Sequence, residues 1–84
     1  MVTRPEDVLP DAQDRAEFDG VNVRKGTIAA FIQNAKLWLD PTGDVAQKKE
    51  LAQELVRMTP ALRALGVLDI FEPRDATLRQ LIIK

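Results

Sequence analysis

The sequence predicts a single α+β domain dominated by helices, with a small N-terminal β-hairpin packed on three to four of them. Three observations carry this expectation. The first is an ordinary globular balance, 45% hydrophobic and 30% charged over 84 residues, which leaves room for one core and not two. The second is a pair of segments whose apolar residues recur at helical spacing. The third is an Asp-Gly pair flanked by alternating apolar residues, the pattern of a two-residue hairpin turn.

Taken from the N-terminus, residues 1–15 read as an acidic arm and residues 16–84 as the compact domain. The arm holds Pro5 and Pro10 and only scattered apolar positions, Val2, Val8 and Leu9. Residues 1–20 carry six acids (Glu6, Asp7, Asp11, Asp14, Glu17, Asp19) against Arg4 and Arg15, whereas the remainder of the chain has more bases than acids. A solvated arm is the ordinary outcome of such a bias. The hairpin follows, with Phe18, Val21 and Val23 on one face and the turn at Asp19-Gly20. Two strands alone are marginal in water, so they need helices to pack on.

Gly26-Thr27 opens the first helix, with Thr27 expected as its N-cap and Asp40-Pro41-Thr42-Gly43 as its stop. At 100° per residue, Ile28, Phe31, Ile32, Ala35, Trp38 and Leu39 fall within about 120°, the width of a core-facing stripe. Gln33, Asn34 and Lys36 are expected in water. The second helix should start at Asp44 and run to Met58, with Val45, Leu51, Ala52, Leu55, Val56 and Met58 inward and Lys48 snorkelling from an edge. Thr59-Pro60 is expected to break it, because proline lacks the amide and its ring clashes with the preceding turn. A separate short helix, 60–65, then ends at Gly66. Val67 to Phe71 reads as a buried extended segment or a tight turn in which Asp69 could hold Arg74 or Arg79. Asp75 caps a last element, 76–84, read as helix over strand on the spacing of Leu78, Leu81 and Ile82.

The residues Phe18-Asp19-Gly20, Gly26-Thr27-Ile28-Ala29-Ala30, Ala61-Leu62-Arg63 and Gly66-Val67-Leu68-Asp69-Ile70-Phe71 resemble a family of small uncharacterised bacterial proteins. That family shows a D-G turn, a G-T-x-A helix start, an acidic linking helix and a G-x-x-D-x-F segment before a basic C-terminal stretch. The resemblance spans residues 17 to 71. At the C-terminus this chain departs, with Thr77-Leu78-Arg79-Gln80 in place of a Gly-Arg-Arg-like stretch. The family has no established activity, so the resemblance implies no function.

Composition narrows the chemistry. There is no histidine, cysteine or tyrosine, which removes Ser-His-Asp and Cys-His nucleophiles, zinc hydrolysis and disulfide staples together. Carboxylate or lysine chemistry remains as a distant reading, and we expect no enzyme, no catalytic residues, no metal and no cofactor. An isoelectric point near 5.3 and the lack of a basic stripe argue against nucleic acid. The longest apolar run, Ile28 to Ile32, is far too short for a membrane span, and a cytoplasmic location is expected.

The leading expectation is a protein-interaction module that associates with a copy of itself or with another protein. Its interface is placed on Ala30 and Leu37, which share the polar side of the first helix at i and i+7, with Trp38 as an anchor. The alternative is a small anionic ligand, a phosphate or carboxylate, at Arg24, Lys25, Gly26 and Thr27, where two cations adjoin the first amides of a helix. The plain reading of that stretch is a capped helix start with two solvated bases.

Overall fold

The computed structural model describes residues 15–18 and 20–83, and side chains from Glu17 onward except those of Phe18 and Asp19. The expected arm lies outside the described residues except for Arg15. Two four-residue strands, β1 (Arg15–Phe18) and β2 (Val21–Arg24), lie antiparallel with Arg15 opposite Arg24 and Phe18 opposite Val21. Half of the expected turn, residue 19, falls outside the described residues. Along β2 the pleat alternates as read from the sequence, Val23 buried and Asn22 and Arg24 exposed.

Four helices follow, so the described chain is mostly helical. Helix α1 is Thr27–Leu39, α2 is Val45–Leu65, α3 is Val67–Ile70 and α4 is Ala76–Ile82. The turn between α1 and α2 is short and built by side chains. Asp40 Oδ1 accepts from both the amide (2.9 Å) and the hydroxyl (2.7 Å) of Thr42. These bonds, the hydroxyl first, hold the Asp40 carboxyl below its usual range. Asp44 then caps α2 by accepting from the Ala46 amide. A connection this short turns the chain back on itself, so α1 and α2 pack antiparallel.

Thr59-Pro60 does not break α2, contrary to the expectation of two helices at 44–58 and 60–65. The helix runs through Pro60 for 21 residues. Leu55, Thr59 and Leu62 stack along one line of this helix and are all buried. Keeping both halves on one axis retains that line, and this outweighs the roughly 3 kcal/mol that proline costs a helix interior. The cost is also reduced by position, because Pro60 and Val56, whose carbonyl loses its donor, are both exposed. Thr59 sends its hydroxyl to the Leu55 carbonyl at 2.8 Å, which satisfies the buried polar group. Pro60→Ala is therefore expected to stabilise the fold by about 1 to 2 kcal/mol, read as a higher urea midpoint with an unchanged slope. A lower midpoint would mean that the helix needs a bend at this point.

Residues 67–70 form one helical turn, not the expected extended segment. Gly66 (φ 84°) ends α2, its amide reaching the carbonyls of Leu62 and Arg63, and it is also the cap from which α3 begins. No residue of α3 is buried. Asp69 is exposed on it, and Arg79 instead donates to the Pro73 carbonyl at 3.1 Å and lies 3.7 Å from Glu72. The last element is a helix, as read from its spacing, and Asp75 accepts from the Leu78 amide to cap it. Arg63 ties its C-terminal end to α2 by donating to the Ile82 carbonyl at 3.0 Å.

The core is the meeting point of α1, α2 and α4: Phe31, Ala35, Leu55, Leu62, Leu78 and Ile82, with Trp38, Met58, Val67, Leu68 and Leu81 packed around them. Leu55 is its centre, with 0% exposure. Val45 and Val56, read as inward from the sequence, are exposed, Val56 on the Pro60 side of α2. Among the described residues no helix is long and apolar enough to cross a membrane.

Candidate functional site

The site originates in a rotation of α1. Its inward residues are Phe31 and Ala35, buried, with Thr27, Asn34 and Trp38 half-buried. On a helical wheel this set is turned by about 50° from the stripe expected from the sequence. Asn34, expected in water, instead donates to Met58 Sδ of α2 at 3.6 Å. Ile28, Ile32 and Leu39, expected in the core, are left 44%, 47% and 40% exposed. The apolar arc of α1 is wider than α2 can cover.

What remains uncovered is a groove. It is lined by Ile28, Ile32, Lys36 and Leu39 on the α1 side and by Val67, Leu68, Phe71, Glu72 and Pro73 on the side of the segment after α2. Phe31, Ala35, Leu62, Leu78 and Ile82, from the core, make the floor. The groove encloses about 430 Å³, and among the described residues its only charged lining residues are Lys36 and Glu72. Beside it Ile70 and Phe71 stand out from the surface, 77% and 69% exposed. Exposed apolar side chains are ordinary when scattered; here Ile28, Ile32, Leu39 and Phe71 border one groove.

The residues singled out from the sequence do not share this surface. Ala30 and Leu37 are exposed, on the side of α1 turned away from the groove. Trp38 lies a full 100° step round the helix from Leu37 and packs on the core, so the three do not make one patch.

Arg24, Lys25, Gly26 and Thr27 do come together. With Asn22, Ala30, Glu54, Arg57, Met58 and Ala61 they line a second cleft of about 370 Å³. Thr27 is not the N-cap, however. Gly26 takes that position with left-handed dihedrals (φ 85°), which carries Thr27 into the first turn, and its hydroxyl donates back to the Arg24 carbonyl at 2.6 Å. No side chain caps α1. Arg57 is engaged by Glu54 from the same helix, so the cleft contains an acid as well as bases.

Two features of the groove escaped the sequence reading. One was that six apolar positions on α1 exceed what a single neighbouring helix covers. The other was Ile70-Phe71, which follows the Gly66 reversal and precedes Pro73, where the chain has too little regular structure to turn both side chains inward. Among the described residues no three His, Cys, Asp or Glu are grouped so as to hold a metal ion. Comparison with known proteins finds no matching family model, no matching curated protein and no matching solved structure.

Proposed function

We propose that this chain is a small protein-interaction module that associates with a second copy of itself, and that its contact surface is the groove face of α1, not the Leu37 face. One observation carries the reading: Ile28, Ile32, Leu39 and Phe71, all exposed, line one apolar groove, and Ile70, next to Phe71 in the chain, is exposed as well. A small domain has a thin core, and pairing two such faces adds apolar burial that neither copy supplies alone. As part of the same proposal, β1 and β2 form a hairpin turning at Asp19-Gly20 that packs on α2 and leaves the groove open. Anion binding at Arg24 to Thr27 ranks below, because Glu54 places a carboxylate in that cleft and takes up Arg57.

Sedimentation equilibrium on the order of tens of micromolar decides between the two faces of α1. The wild-type chain should be dimeric. Ile32→Asp, which sets an unpaired carboxylate in the contact, should weaken the dimer about 100-fold or more while keeping its helical circular dichroism. Leu37→Asp should leave the dimer unchanged. A monomeric wild-type chain overturns the proposal, and a dimer lost only in Leu37→Asp moves the interface to the opposite face.

A further inference from the structure

Resting on that reading, we propose that the groove is filled by the partner copy's Phe71, in a two-fold arrangement whose register is set by Lys36 of each copy against Glu72 of the other. The first argument is shape. One face carries both a hollow of about 430 Å³ and, on its rim, an aromatic ring 69% exposed with Ile70 beside it at 77%. A hollow and a projection on the same face are what a two-fold contact requires, since each surface must fit itself. Phe71 lines its own groove and is still left 69% exposed.

The second argument is extent. The exposed parts of Ile28, Ile32, Leu39, Ile70 and Phe71 amount to roughly 500 Å² on each copy. Covering both gives about 1,000 Å² before any polar rim is added, which reaches the range of specific interfaces. A small molecule in the hollow would leave Ile70 in water.

The third argument is charge. Lys36, from α1, and Glu72, from the segment after α3, both line the groove and carry opposite charges. A two-fold axis running along the groove lays the α1 side of each copy over the 67–73 side of the other, the arrangement in which Lys36 meets the partner's Glu72 twice. Glu72 keeps only a long, exposed contact with its own Arg79, at 3.7 Å.

Phe71→Ala and a charge exchange test this arrangement in the full chain. Phe71→Ala should weaken the dimer by about 30-fold or more without moving the unfolding midpoint measured at concentrations where the chain is monomeric. Lys36→Glu and Glu72→Lys should each weaken the dimer about fivefold or more, and the double exchange should restore it, which a merely local role for either residue does not produce. A wild-type dimer indifferent to Phe71→Ala, or one not restored by the double exchange, overturns this arrangement while the self-association stands. A monomeric wild-type chain overturns both and leaves the groove to a different partner.

Discussion

Leu55→Ala is expected to lower the free energy of unfolding by about 3 to 4 kcal/mol. Among the described residues Leu55 is the one large side chain with no exposure at all, and it sits mid-way along α2 in the buried cluster with Phe31, Leu62 and Leu78. Removing its branched end forfeits the transfer energy of the lost carbons and leaves a hollow that three rigid helices cannot close completely. A single small core seldom supplies more than about 3 to 5 kcal/mol of net stability, so the variant should be largely unfolded in mild denaturant. Urea unfolding followed by helical circular dichroism checks it, at a concentration low enough that association does not add to stability. The slope should be unchanged and the midpoint should fall by more than half. Val45→Ala, at a position 84% exposed on the same helix, should stay within about 0.5 kcal/mol of wild type. A loss under about 1 kcal/mol for Leu55→Ala would show that the core closes around the gap and is centred elsewhere.

Gly66→Val should cost about 2 to 3 kcal/mol. The cause is conformational alone. A Cβ built on Gly66 meets nothing closer than Asp69 Oδ2 at 3.8 Å, so a Cβ fits, but the backbone sits at φ 84°. L-residues pay roughly 1 to 2 kcal/mol in that left-handed well, and β-branched ones more. Gly66→Ala should accordingly cost about half as much, and Gly66→Asn less again, since asparagine tolerates this conformation. That order, Val worse than Ala worse than Asn, separates backbone strain from a steric clash, which would scale with size alone. Equal losses for all three would overturn the strain account. Because α3 starts from the same residue, Gly66→Val should also disturb the amides of residues 67–71 on the groove wall in an NMR comparison.

Local chemistry explains which parts of this fold were legible beforehand. The starts of α2 and α4 could be read because Asp44 and Asp75 are caps that act within two or three residues of themselves. Gly66 was equally clear as a helix end, since the left-handed residue it supplies is a local requirement. Thr27 shows where local reading stops: two neighbouring residues were both able to occupy the cap, and Gly26 took it. Pro60 was misread for a different reason. Its local preference is to break a helix, but Leu55, Thr59 and Leu62 are buried in one line only if α2 stays continuous, and that benefit lies in contacts with α1 and α4.

The candidate site follows the same division. Arg24 to Thr27 were found together because four consecutive residues at a helix start are neighbours by chain geometry. The groove was missed because its residues come from α1, the segment 67–73 and α4, which only tertiary packing brings together.

What the sequence by itself determined is the helical class and the points where α2 and α4 start and α2 ends: apolar spacing, caps and one left-handed glycine are short-range quantities, each decided within a turn of helix, whereas the continuity of α2 through Pro60 and the helical turn at 67–70 were not. How far α1 rotates, and therefore which of its apolar residues stay in water, was decided only by the tertiary structure. Six apolar positions on one helix compete for a neighbour that covers a narrower arc, and which of them go without depends on the shapes of Met58, Leu62 and Leu78, residues 19 to 50 positions away along the chain from Ile28, Ile32 and Leu39.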